Sequence, residues 1–237
     1  EGEELLDDTG GLLQRIFGNP GTLLFLALLA VALVAERRVL LGDGLLGGGA
    51  LVPVVGGAAD LWDLYLADFH PVGLGSDAWA PPYVAVLAAL STLFLGKVWL
   101  AVAVLLLGCV PLAGLSAYLA TRFMIPDRGT RVWLAATYAL LPTATGTVAG
   151  GRVGTAVVLI LLPVYAALAR VVLSGDGRRA RRAAWGLGLL LAVGTAFVPL
   201  VYPLTALLGA LAAAAFGGLR RGVRTSLAIA LAVPLVL

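Results

Sequence analysis

Apolar runs of about 18 residues or more recur along this chain, the length a helix needs to cross ~30 Å of hydrocarbon. No acidic residue falls inside any of them. Apolar residues make up 61% of the 237 residues, charged residues 12%, and the mean hydropathy is +1.02. A soluble domain of this size needs more charge on its exterior to stay dissolved. The pattern therefore predicts an all-α, polytopic membrane protein with about seven transmembrane helices, placed multi-pass in the cell inner (plasma) membrane.

The basic residues are 15 arginines and the single lysine Lys97. They sit in short clusters beside apolar spans, which reads as a topology signal and not as a nucleic-acid surface. Cys109 stands alone in an apolar run, so no disulfide forms within the chain and no metal-ligand spacing occurs. The acidic start (Glu1, Glu3, Glu4, Asp7, Asp8) does not resemble a signal peptide. Met124 is the only methionine and the last apolar run is cut at Leu237, so further protein is expected on both sides.

The chain divides into four regions. Residues 1–20 read as a cytoplasmic acidic linker, and 21–41 as the first transmembrane helix, with Pro20 suited to a helix start. Residues 42–97 read as an extracytoplasmic loop, and 98–237 as a helix bundle truncated at its C-terminus. The expected spans in the bundle are Val98–Thr121, Arg131–Ala149, Val153–Leu173, Ala183–Val198, Leu200–Gly217 and the run from Leu227. Cytoplasmic placement of the arginine-bearing connectors at 122–131, 174–182 and 219–224 puts ten arginines inside, against Arg37 and Arg38 outside. The short helix at 83–95 then cannot cross and should lie in the outer interface.

Chemistry is accordingly expected at the outer face. Gly57–Phe69 reads as an amphipathic helix lying on the membrane. Leu61, Trp62, Tyr65, Leu66 and Phe69 share one face, and Asp60 and Asp63 the other. His70 comes next in register before Pro71, and a Gly-rich turn carries Asp77 toward Trp79. Arg152 occupies the next outer turn. Asp60 or Asp63 suits a general base on an acceptor hydroxyl. Arg152 suits a phosphate, because a guanidinium offers oxyanions a bidentate fork. Trp62 and Trp79 fit either sugar platforms or interfacial anchors, and Arg152 fits either phosphate binding or snorkelling to headgroups. The carboxylates fit an ordinary solvated face as well, and His70 an ordinary loop residue; Gly186, Gly188 and Gly194 read as close-packing positions between helices.

Several segments resemble the membrane region of large family-2 glycosyltransferases of high-GC bacteria. They are Gly49–Pro53, Asp60-Leu61-Trp62, His70–Ser76, Ala80-Pro81-Pro82, Val110–Tyr118, Tyr138–Pro142 and Gly151–Thr155. The layout also resembles the GT-C class, whose enzymes use polyprenyl-linked sugar donors and carry a catalytic acid in the first outer loop. The resemblance implies a membrane module of a cell-envelope glycosyltransferase. Its partners would be the bilayer, a polyprenyl-phosphate-linked sugar and a glycan acceptor, with no nucleic acid. It implies no definite cofactor and is compatible with a divalent metal. Two other readings stay open: a non-catalytic anchor for a cytoplasmic family-2 domain, and a lipid-linked saccharide transporter or flippase. Pro111, Pro142, Pro163, Pro199 and Pro203 would permit the broken helices of the last.

Overall fold

The computed structural model describes residues 18–35, 37, 56–67, 79–174, 177–215 and 221–236. Every regular element among them is helical, as the apolar periodicity predicts. In chain order these are α1 (Pro20–Ala35), α2 (Ala58–Leu66), α3 (Pro82–Leu93), α4 (Val98–Leu107), α5 (Cys109–Thr121), α6 (Arg128–Ala139), the single turn α7 (Leu141–Ala144), α8 (Val153–Ser174), α9 (Arg178–Phe197), α10 (Val201–Ala215) and α11 (Arg221–Val236).

The expected seven spans are not reproduced among the described residues. One helix, α8, is long and apolar enough to cross a membrane, or two spans if the bent pair α3–α4 counts as one. The α1, α5, α10 and α11 helices contribute shorter apolar stretches of 10–17 residues. Even 16 residues of helix reach only ~24 Å.

Proline explains two of the breaks. Pro111 has no N–H for the Leu107 carbonyl four residues back, and its ring crowds that carbonyl. The expected span Val98–Thr121 is accordingly interrupted at Gly108, between α4 and α5. Pro142 does the same to Tyr138, so the expected span Arg131–Ala149 ends as a helix at Ala139. The chain continues as the turn α7 and a glycine-rich loop, with Gly146 and Gly151 in the left-handed region. Pro163, by contrast, sits inside α8 without ending it.

The basic connectors are also partly helical. Arg178, Arg179, Arg181 and Arg182 form the start of α9, and Arg128 and Arg131 the first turn of α6. Their charges occupy the end of the helix dipole that disfavours cations, although arginine is itself a good helix former.

Three apolar clusters hold the helices together, and α8 touches two of them. Leu24 and Leu28 of α1 meet Val110, Ala117 and Tyr118 of α5 and Ala135 and Ala139 of α6. Gly114 allows this approach: a Cβ there would press on Leu28 and lie 3.1 Å from the Ala139 Cβ. A second cluster joins α8, α9 and α11 through Tyr165, Val172, Ala184, Leu187 and Ala230. At Gly188 an added Cβ would lie 2.8 Å from Val233 and 3.1 Å from the Ala230 carbonyl, so the expected close-packing role holds there. Gly194 likewise makes room for Tyr165, whereas Gly186 meets only Leu168 at an ordinary 3.9 Å. The third cluster brings α2, α3, α4 and the starts of α5 and α8 together and organises the candidate site.

Candidate functional site

The α2 helix starts where two backbone constraints coincide. The Gly57 N–H donates to Asp60 Oδ2 at 2.6 Å, the carboxylate half of a capping box. Glycine has no side-chain oxygen to supply the other half. The Ala58 N–H donates to the Gly96 carbonyl at 2.9 Å, tying α2 to the turn between α3 and α4. A Cβ at Gly57 would lie 3.3 Å from that carbonyl, so the close approach favours glycine.

That turn is sharp. Leu95 and Gly96 both have positive φ (57° and 78°), and Gly96 N–H returns to the Ser91 carbonyl at 2.9 Å. The α3 and α4 axes meet at 100°. Trp62 locks α2 down on α3, its Nε1 donating to Thr92 Oγ1 at 3.3 Å and its ring edge-on to Tyr65 at 6.4 Å.

The expected amphipathic helix is thus present over Ala58–Leu66. Leu61 is buried, Trp62 and Tyr65 are half-buried, and Asp60 and Asp63 are exposed, which matches the predicted faces at those positions. Leu66 departs from the pattern at 71% exposed. His70 and Asp77, also named as site candidates, lie outside the described residues, as does Phe69. Trp79 is 96% exposed and touches no part of the site's aromatic packing, whereas Trp62 is spent on α3.

Arg152 closes the other segment, which is longer than the turn at 150–152 expected from sequence. After Pro142 the chain folds back through Thr147 N–H to the Pro142 carbonyl (2.9 Å), Gly150 N–H to Gly146 (2.9 Å) and Arg152 N–H to Thr147 (3.0 Å). Thr145 and Thr147 share a hydroxyl hydrogen bond of 2.7 Å, with Thr147 fully buried. Arg152 is exposed immediately before α8. A Cβ at Gly150 would lie 3.4 Å from its Nε, so the guanidinium stem lies over this glycine.

The two segments meet through apolar side chains. Leu61, Trp62 and Tyr65 of α2 and Val148 and Val153 flanking Arg152 belong to one cluster around Leu87, Val98 and Ala156. Asp60, Asp63 and Arg152 are therefore carried by elements packed on the same core, with no ion pair joining them among the described residues. The end of α9 joins the same rim: Tyr83 stacks on Phe197 at 6.1 Å, and a Cβ at Gly154 would lie 3.1 Å from the Phe197 carbonyl.

The geometry separates the two carboxylates. Asp60 is committed to the α2 N-terminus, while the Asp63 side chain has no partner among the described residues. It also adds a cation that sequence reasoning passed over. Lys97 is exposed beside Gly96, so the hydrogen bond to Ala58 places it next to the start of α2. Its being the chain's single lysine was the available signal. Among the described residues no group of three or more His, Cys, Asp or Glu side chains is gathered as a metal site. Comparison with known proteins adds nothing: no family model, no curated protein and no solved structure matches this chain.

Proposed function

We propose that this chain is the membrane module of a cell-envelope glycosyltransferase that moves a sugar from a polyprenyl-phosphate donor to a glycan acceptor at the outer face. The observation that carries the site is the packing of α2 and the Arg152 loop on one apolar cluster, which puts a free carboxylate and a free guanidinium on its rim. Asp63 is the better base of the two candidates, since Asp60 already holds the α2 cap. Asp63 takes the proton from the acceptor hydroxyl as its oxygen bonds to the anomeric carbon. The bond from that carbon to the phosphate oxygen breaks, and the polyprenyl phosphate leaves with its charge held by Arg152.

A bilayer setting is supported by the outer surface. The α8 helix packs against several neighbours, yet only 22% of its most apolar 18-residue window is buried, unlike the core helix of a soluble domain. Leu23, Leu26, Val31, Leu33 and Val34 of α1 and Leu204, Leu207, Leu208 and Leu211 of α10 are exposed as well, a larger apolar surface than water tolerates well. The 100° bend between α3 and α4 lets α3 lie near the membrane plane, as expected of an interfacial helix, when α4 points into the bilayer. Further spans, up to the seven expected from sequence, belong to this same proposal.

Asp60's structural use is what the anchor reading would expect of the whole face. Two measurements on the full-length protein separate the readings. First, with Cys109 replaced, single cysteines at 63, 77, 127, 151 and 180 are labelled with a membrane-impermeant thiol reagent. Labelling of 63, 77 and 151 from outside, but not of 127 and 180, is expected; labelling of 63 and 151 from opposite sides rules out a shared site. Second, transfer activity is measured in the Asp60→Asn/Asp63→Asn double variant. Full activity there sinks the catalytic reading and leaves the anchor.

A further inference from the structure

The opposite end of α5 holds a second polar arrangement. Tyr118 lies nine residues beyond Cys109, about 14 Å along the helix axis. Four tyrosines pack well into the helix contacts, and three spend their hydroxyls on a neighbouring helix: Tyr138 on the Leu159 carbonyl (2.7 Å), Tyr165 on Leu190 (2.9 Å) and Tyr202 on Leu231 (3.1 Å). Tyr118 is the exception. It is only 7% exposed, yet its hydroxyl has no partner among the described residues.

Tyr118 is held in place from both sides. Its ring edge lies against the first turn of α1, where a Cβ at Gly21 would be 2.7 Å from Cδ1 and 3.2 Å from Cζ. Over the ring face sits Arg131 of α6, its guanidinium carbon 5.1 Å from the centroid. The Arg131 Nε is buried and makes no hydrogen bond. The neighbouring carboxylate does not supply one: Asp127 Oδ2 accepts from the Thr130 N–H and hydroxyl, both at 2.6 Å. The first-turn donors of α1 are likewise spent, Gly21 on Asn19 Oδ1 and Thr22 and Leu23 on the Asn19 carbonyl.

Among the described residues two donors are thus left without an acceptor at the junction of three helices: the Arg131 Nε, which is buried and permanently cationic, and the Tyr118 hydroxyl at the edge of a packed ring. Leaving the buried Arg131 Nε unmade is costly, and a guanidinium and a phenol hydroxyl both donate hydrogen bonds to oxyanions. We propose that Arg131 and Tyr118 bind a phosphate group at the junction of α1, α5 and α6. The group is either the headgroup phosphate of an anionic phospholipid or free phosphate. Asp60, Asp63 and Arg152 take no part, so this site stands or falls independently of the glycosyltransferase reading.

The test is isothermal titration of the full chain in a phosphate-free maltoside detergent. The two probes are inorganic phosphate and dihexanoyl-phosphatidylglycerol below its critical micelle concentration. The variants are Tyr118→Phe, which keeps the ring and its packing, and Arg131→Lys, which keeps the charge but loses the planar fork. Saturable binding is expected, weakened roughly tenfold or more in each variant. Tighter binding of the lipid probe assigns the site to a headgroup; equal binding of the two assigns it to free phosphate. No saturable binding of either probe, or unchanged affinity in either variant, overturns the proposal and leaves the Arg131–Tyr118 contact as packing alone.

Discussion

At the Cys109 end of α5, charged side chains stand outside a finished apolar core. Asp63, Lys97 and Arg152 are exposed, and the backbone around them satisfies itself through the Ala58–Gly96 bond and the folded 142–152 loop. At the Tyr118 end the order is reversed: the Tyr118 ring is packed between helices and the Arg131 Nε is buried without an acceptor among the described residues. The first arrangement leaves carboxylate and guanidinium free to approach a substrate. The second leaves one buried donor unsatisfied, which costs stability as long as nothing supplies the acceptor.

The sharpest way to break this contrast is at Asp63. Asp63→Asn should lower transfer turnover by roughly 10²–10⁴-fold, the usual worth of a general base, with the folded structure unchanged by circular dichroism. Asp60→Asn should do the reverse, lowering the thermal midpoint while turnover stays within a few-fold. Equal losses of turnover in both would mean that the cap and the base are not divided as proposed.

Next in size is Gly21→Val, which forces a side chain into the space of the Tyr118 ring. Overpacking of this kind costs about 1–3 kcal/mol, read from chemical or thermal unfolding in detergent. A neutral result would show that the ring moves aside freely and that the Tyr118 end is not rigid. Trp62→Phe should cost about 1 kcal/mol or less by removing the hydrogen bond to Thr92, and it should loosen α2 without touching the Tyr118 end.

The smallest effect is expected at Asp127. Hydrogen bonds from the Thr130 hydroxyl and N–H, in that order, hold its carboxyl below the usual value of 3.8. A carboxyl depressed in the folded state stabilises the fold above its unfolded pKa, and this contribution fades as pH falls through the lower folded value. The α6 start should therefore lose stability on acidification from about pH 5 downward in wild type. Asp127→Asn should remove that pH dependence while leaving the neutral-pH midpoint slightly reduced. An identical acid profile in wild type and variant would show that the cap carries no measurable stability.

Much of this was legible in the residues alone. The 3.6-residue period placed Asp60 and Asp63 opposite Leu61 and Tyr65, and helical structure followed from apolar runs with few charges. The span count was not legible in the same way. Prolines were visible at 111, 142 and 163, but one period and one ring do not say which helix ends. Pro142 is followed by Gly146, Gly150 and Gly151, which let the chain turn back, whereas Pro163 lies within the continuous α8. That Asp60 caps α2 while Asp63 has no partner among the described residues was also hidden, because it depends on a 2.6 Å contact at the Gly57 N–H and not on which face each occupies.

Sequence by itself determined the helical class, the apolar character of the surface and the amphipathic α2. These are local properties, set by side-chain type and by the period of the helix. Tertiary structure alone decided that α2 and the Arg152 loop share a core, that Lys97 joins them, and that Tyr118 meets Arg131 across the α5–α6 turn. Those pairings depend on which helix faces close against one another, and the spacing of residues along a chain carries no distance across a packed interface.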